Sequence, residues 1–146
     1  MVTIDEEIKH LKNECKDMNY YKKKLKEAEL KLEEIKVRLQ GVSSPRLEGV
    51  YIVKDPHKSD KLYWLEVEKE WAMERDKYQN IINELNRPID SMPDILADAF
   101  RSAYIDKINH DKVAESYGFK SRQDMYDKIN DALKNYFLLS KPKNVL

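Results

Sequence analysis

Apolar residues recur at steps of three and four along the first forty positions of the chain. They are Ile4, Ile8, Leu11, Cys15, Met18, Tyr21, Leu25, Ala28, Leu32, Ile35 and Leu39. Alternating steps of three and four make the seam of a coiled coil, so this pattern predicts one long helix over residues 4–39. The steps Cys15–Met18–Tyr21 are both of three, a stammer that we expect to tighten the supercoil locally.

The next stretch, residues 40–60, interrupts the helical pattern with glycine, serine and proline and predicts a loop. Within it, the apolar run Val50–Val53 indicates a short strand or an extended arm. An apolar stripe then returns over Lys61–Leu85 and predicts a second helix, which Pro88 should end because proline disfavours helix in the preceding residue. Two such helices favour an antiparallel hairpin.

A hairpin of two helices buries little surface, so association with a second copy is the natural way to complete its core. The large apolar residues of the two stripes are the candidates for this oligomer or partner interface. They are Leu11, Met18, Leu25, Leu32, Trp64, Trp71 and Tyr78.

The C-terminal part of the chain, residues 91–137, predicts three short helices. Ser91 should cap the first, which runs to about Ile105; Asn109 should cap the second, and Ser121 the third, with Asp124 as the reciprocal partner of the Ser121 cap. Gly118 lies between the second and third helices, where a left-handed helix end is expected. This arrangement predicts a helix-turn-helix, which presents one helix to the major groove of DNA.

The sequence therefore predicts an all-α protein with two regions. Residues 1–88 form a helical hairpin or coiled coil with a loop at 40–60, and residues 89–146 form a helix-turn-helix domain.

Helical geometry then selects the residues of the third helix that face outward. If Met125, Ile129, Leu133 and Tyr136 face the core, amide and basic side chains lie on the opposite face or at the turn. Amides can read adenine, and lysine or arginine can hold phosphates. The candidate DNA contacts are Lys120, Arg122, Gln123, Tyr126, Lys128, Asn130 and Lys134.

The charge of the chain gives DNA binding little support. The number of lysines and arginines equals the number of aspartates and glutamates. From Ser91 onward there are nine basic and eight acidic residues. Asp127 lies within the candidate DNA face, where it would repel phosphates. A helical protein-interaction module that binds polymerase, a repressor or another host or phage protein is thus the alternative. A structural or packaging component that forms rings through the coiled coil is a third class.

Other classes of protein find no support in the sequence. Cys15 is the single cysteine, which excludes an intramolecular disulfide and fits a reducing compartment. The first residues carry no apolar run of a signal peptide, and no stretch reaches membrane-spanning length. The three histidines are scattered, which predicts no metal site. The chain has no glycine-rich phosphate loop and no nucleophile–base set, so we predict no cofactor and no enzyme activity. We expect a cytoplasmic protein.

Two resemblances add to this interpretation. The run from Lys112 to Phe119, followed by Ser121 and a helix through Ala132-Leu133, resembles the promoter-reading domain of bacterial sigma factors. It carries one extra residue in the turn, where Lys120 is the candidate insertion. Across the chain, the long first helix with Tyr20-Tyr21, the loop, the second helix and this terminal unit resemble the ArpU/RinA-type regulators of phages of Gram-positive bacteria. That resemblance implies activation of phage late genes by promoter-proximal DNA binding, with double-stranded DNA and RNA polymerase as partners in a bacterial host cell.

Overall fold

The computed structural model describes residues 2–42 and 54–140, and every regular element within those ranges is helical. The helices are α1 (Ile4–Cys15), α2 (Met18–Val42), α3 (Lys54–Asp90), α4 (Asp94–Phe100), α5 (His110–Ser116) and α6 (Arg122–Ser140). A π-helical segment, Arg101–Ile105, directly continues α4. The prediction of an all-α protein is confirmed, whereas the strand or arm predicted at Val50–Val53 lies outside the described residues.

The single helix predicted over residues 4–39 is wrong, because the chain turns at Lys16 and Asp17. The N–H groups of these two residues donate to the carbonyls of Asn13 and Glu14, three positions back, and end α1. Cys15 and Met18, on either side of the turn, are both fully buried. In a continuous helix two steps of three would rotate Tyr21 about 120° away from Cys15. The turn replaces the tightened supercoil that the stammer predicted.

Two further helix boundaries differ from the sequence prediction. The predicted loop 40–60 is helical at both ends, since α2 continues to Val42 and α3 begins at Lys54. Pro88 does not end α3, which runs on to Asp90. The missing N–H of Pro88 costs one hydrogen bond close to a helix end, and both Pro88 and Ile89 are buried.

Ser91 does not cap α4 as predicted. Its hydroxyl donates to the carbonyl of Pro88 at 2.6 Å, so it serves the end of α3 instead. Pro93 precedes α4 and provides no side-chain cap.

The described residues divide into two compact units. The terminal unit contains residues 2–20 and 81–140, and the middle unit contains residues 21–42 and 54–80. This division differs from the predicted boundary at residue 88. It arises because α1 packs against α6 and the π-helical segment, so the first residues of the chain belong with the last helices.

In the middle unit, α2 and α3 run antiparallel. Tyr21 near the start of α2 contacts Tyr78 of α3 with ring centroids 6.3 Å apart. Near the other end of α2, the Arg38 guanidinium lies 4.7 Å from the ring of Trp64. The face between them follows the predicted seam, with Ala28 and Ile35 buried.

In the terminal unit, the core is formed where α1, α4 and α5 pack around α6, and the π-helical segment packs against α1, α4 and α5. Phe100, Met125, Ile129 and Leu133 are fully buried there. Met125, Ile129 and Leu133 recur every four residues and form one stripe on α6, as the sequence predicted, whereas Tyr136, the fourth predicted member, is half-buried. Among the described residues, no helix combines the length and the apolar character that crossing a bilayer requires.

Candidate nucleic-acid interface

The turn between α5 and α6 is built around Gly118. Its φ of +81° is left-handed, a conformation that glycine adopts without the steric cost of a Cβ. The Phe119 N–H donates to the Ala114 carbonyl at 2.8 Å, and the Gly118 N–H donates to the Glu115 carbonyl at 3.2 Å. These two bonds form a Schellman motif, which ends α5 sharply. The predicted role of Gly118 is confirmed.

Side-chain caps fix the first turns of both helices. The Asn109 side-chain oxygen accepts from the N–H groups of Asp111 and Lys112 and caps α5, as predicted. At α6, the Ser121 hydroxyl accepts from the Asp124 N–H at 3.1 Å, which confirms Ser121 as a cap. The Asp124 carboxylate accepts from the Lys120 N–H, one residue earlier than the predicted reciprocal partner.

The carboxylate of Asp124 is therefore committed to the turn. The Lys120 backbone N–H, and after it the side chain of Lys128 at 3.3 Å, hold the pKa of Asp124 below its ordinary value. Lys128 also lies 5.7 Å from the ring of Phe119. Asp124 and Lys128 thus stabilise the turn, and neither projects freely from α6.

The exposed residues at the start of α6 and in the turn before it form a group that we call the leading end. They are Lys120, Arg122, Gln123 and Asp127. The Arg122 guanidinium lies 3.8 Å from the Asp111 carboxylate, and both side chains are more than half exposed. The Gln123 amide donates to the Asp127 carboxylate at 2.9 Å. The leading end therefore presents cationic, amide and carboxylate groups to solvent, next to one another.

Three of the predicted DNA contacts, Tyr126, Asn130 and Lys134, lie further along α6 than Gln123. Tyr126 and Asn130 are half-buried, and the Asn130 oxygen accepts from the Lys12 ammonium of α1 at 2.7 Å. Lys134, which is exposed, lines a pocket together with residues of α1. At about 100° per residue, Asn130 and Lys134 lie within about 20° of Gln123 around the helix axis, so they share its side of α6. Beyond the first two turns, however, α1 packs against that side. α1, which the sequence placed in a separate coiled coil, therefore covers part of the predicted contact surface.

An aromatic cluster lies beside this contact. Tyr104 contacts Phe100 at 4.7 Å and His110 at 5.2 Å, and His110 contacts Tyr126 at 5.6 Å between ring centroids. The Nδ1 of His110 forms a hydrogen bond with the Tyr126 hydroxyl, and its Nε2 lies 3.3 Å from the Ala103 carbonyl. Both histidine nitrogens therefore serve the packing of α5.

Lys12 is the functional candidate that sequence reasoning missed. Its ammonium lies 5.3 Å from the Tyr104 ring centroid and 6.0 Å from that of Tyr126, within the range of cation–π attraction. Burial lowers the pKa of Lys12. In the sequence Lys12 looks like an ordinary solvated flank beside Leu11, and only the packing of α1 on α6 distinguishes it.

The predicted partner interface is also divided by the fold. Leu11 and Met18 are buried inside the terminal unit, so they are not available to a partner. Tyr78 is buried against Tyr21. The half-buried members of the predicted set are Leu25, Leu32, Trp64 and Trp71 of the middle unit. In the ranges that the structure covers, no three histidine, cysteine or acidic side chains converge to hold a metal ion.

Two weakly acidic side chains of the terminal unit, the buried Cys15 and the half-buried Tyr104, predict a loss of stability at high pH. Burial, and next the charge of Glu14, raise the pKa of Cys15 from 9.0 to about 12. Burial, and next Tyr126, raise the pKa of Tyr104 from 10.0 to about 12. Both groups keep their protons in the folded chain longer than in the unfolded chain. Their stabilising contribution is complete below pH 9 and is lost as the pH rises towards 12.

We expect the free energy of unfolding from urea titrations to fall above pH 9. The slope approaches about 1.4 kcal/mol per pH unit for fully buried Cys15 and is smaller for half-buried Tyr104. The variant Cys15→Ala should decline less steeply over the same range. Equal slopes in the two proteins would contradict the assignment to Cys15.

Comparison of the chain with family models, with curated proteins and with solved structures finds no match in any of the three.

Proposed function

We propose that this protein binds double-stranded DNA through α5 and α6, which act as a helix-turn-helix with the leading end of α6 in the major groove. The observation that carries the proposal is the Schellman turn at Gly118. It joins two packed helices and leaves Arg122, Gln123 and Asp127 exposed at the start of the second. Recognition helices contact base edges with their N-terminal residues.

The polar groups of the leading end suit this role. Arg122 can contact a phosphate or a guanine, and Gln123 can pair bidentately with adenine. Asp127 can accept from a cytosine amino group, which gives a carboxylate at this position a place in base reading. An exposed ion pair is worth only about 0–1 kcal/mol, so Arg122 can leave Asp111 for DNA at little cost.

The proposed reading surface is narrower than the sequence predicted. The packing of Asn130 and Tyr126 against α1 and α5 leaves the first two turns of α6, with the basic Lys120 beside them, as the part that enters the groove. Lys128 lies at its edge. This restricts the base contacts to a few positions.

We propose further that two copies associate through the middle unit. Trp64 and Trp71 are half-buried between two helices, and Leu62, Tyr63 and Met73 are between 58% and 65% exposed. A pair of helices with this much apolar surface gains stability when a second pair covers it. Two-fold association also provides two recognition helices for two half-sites.

The resemblance to sigma-factor domains and to ArpU/RinA-type regulators supplies the biological setting of this proposal. In that setting the protein acts on phage or prophage promoters inside a bacterial cell, alone or beside RNA polymerase. The proposal assigns it no catalytic step and no cofactor.

The test is a titration of the purified full chain with DNA from its own genomic neighbourhood at several salt concentrations. We expect submicromolar binding to one site, with two chains per site, and an affinity that falls linearly with the logarithm of salt concentration. Unrelated DNA of equal length should bind at least about tenfold more weakly, because base contacts add to the phosphate term. Equal affinity for both DNAs would overturn sequence-specific recognition.

A second candidate function is a helical module that docks on polymerase, a repressor or another protein. The zero formal net charge of the chain and the carboxylates of Asp111 and Asp127 near the leading end favour it. Absence of DNA binding even at low salt, together with a nuclease-resistant complex with purified polymerase, would support this function and exclude the first.

A further inference from the structure

A groove between α1 and α6 contains an open pocket of about 270 Å³. Its lining comes from Asp5, Ile8, Lys9 and Lys12 of α1 and from Asn130 and Lys134 of α6. Three of these six residues are lysines. The volume lies just below the range of about 300–1,000 Å³ typical of small-molecule sites, so the pocket suits a small group.

The donors around this pocket are largely unused. Among the described residues, neither Lys9 nor Lys134 forms an ion pair, and the Asn130 amide nitrogen has no hydrogen-bond acceptor. Lys12 donates one of its three N–H groups to the Asn130 side-chain oxygen. Because that oxygen is neutral, the ammonium of Lys12 is partly removed from water without an opposite charge in contact.

We infer that this pocket binds a phosphate group, held by the ammonium groups of Lys9, Lys12 and Lys134 and by the Asn130 amide. Charged N–H donors to a phosphate oxygen make hydrogen bonds about twice as strong as neutral ones. Lys12 also gives the site a fixed point, since the rings of Tyr104 and Tyr126 and the Asn130 oxygen hold its ammonium in place. Asp5 is the one acid in the lining, so three lysines leave an excess of positive charge.

Lys12 has no ion-pair partner among the described residues, and burial lowers its pKa. A phosphate in the pocket would favour the charged ammonium and move that pKa back up.

Two sources can supply this phosphate: a phosphodiester of DNA that lies along α6, or a free phosphate-bearing small molecule. The DNA source rests on the proposed function, whereas phosphate binding itself does not. The experiment therefore measures inorganic phosphate first and DNA separately.

The first arm is an NMR titration of the full chain with inorganic phosphate at constant ionic strength. We expect shifts centred on Lys9, Lys12 and Asn130, and a rise in the measured pKa of Lys12. In the double variant Lys9→Gln, Lys134→Gln the affinity should fall about tenfold or more, since two charged contacts are lost. Both residues are exposed, so the variant should fold normally. The matched control Lys23→Gln, Lys26→Gln removes the same charge from exposed positions of α2 and should bind phosphate as the parent does.

The second arm measures DNA binding by the same three proteins. If the phosphate belongs to DNA, the pocket variant should lower the salt slope by about one or two relative to the control. If the pocket variant loses phosphate affinity in the first arm but its DNA salt slope equals that of the control, the pocket is assigned to a small molecule. Absence of phosphate binding, or equal affinity in the pocket variant and its control, would overturn the site whatever the DNA arm shows.

Discussion

Replacing Phe100 with alanine is expected to lower the free energy of unfolding of this protein by about 3–5 kcal/mol. Phe100 is fully buried at the end of α4, where the π-helical segment begins. Its ring contacts Tyr104 at 4.7 Å. The truncation removes the favourable transfer free energy of the ring. It also leaves a cavity in the core that contains the buried stripe of α6. Urea unfolding followed by circular dichroism measures the change.

Ile95→Ala is the matched control, because it lies on the same short helix and its side chain is 58% exposed. We expect it to change stability by no more than about 0.5 kcal/mol. A Phe100→Ala variant as stable as Ile95→Ala would mean that α4 does not pack as described.

The second large effect concerns the leading end of α6. The double variant Lys120→Ala, Arg122→Ala should weaken binding to the cognate DNA by about a hundredfold, since each lost charged contact is worth roughly a factor of ten. Its salt slope should fall by about two. Both side chains are exposed, and the single ion pair lost, with Asp111, is a surface pair. Unfolding free energy should therefore change by less than about 1 kcal/mol.

The comparison protein for this variant is Lys23→Ala, Lys26→Ala, which loses two positive charges from exposed positions of α2 in the middle unit. It separates contact at the leading end from a general effect of net charge. Equal DNA affinity in the two double variants would remove the leading end from the proposed interface. A drop in affinity without a change in salt slope would indicate lost base contacts in place of lost phosphate contacts.

The local signals in the sequence were accurate where one short segment decides its own conformation. Gly118 is left-handed because a helix end of this type needs a residue without a Cβ, and Asn109 and Ser121 cap helices because their side-chain oxygens reach the next backbone N–H groups. The stripe of Met125, Ile129 and Leu133 is buried because its spacing matches the helical repeat.

The sequence could not determine where α1 packs. The same apolar seam can belong to a long coiled coil or, after a turn at Lys16 and Asp17, to a separate helix that packs on α6. The spacing of the apolar residues does not distinguish the two. Pro88 and Ser91 depart from their local preferences for a related reason. The burial of Ile89 and the hydrogen bond from the Ser91 hydroxyl to the Pro88 carbonyl favour a longer α3.

By itself, then, the chain determined its helical class, the caps of α5 and α6, the α5–α6 turn and the inner face of α6. All of these depend on residues within a few positions of one another. Tertiary structure alone decided that Asn130 and Tyr126 contact other helices, and that Lys9, Lys12 and Lys134 line one pocket. Lys12 and Asn130, for example, are 118 positions apart along the chain. The burial of Ile8, Leu11 and Cys15 holds α1 against its neighbours, and no local pattern encodes which helix α1 packs on.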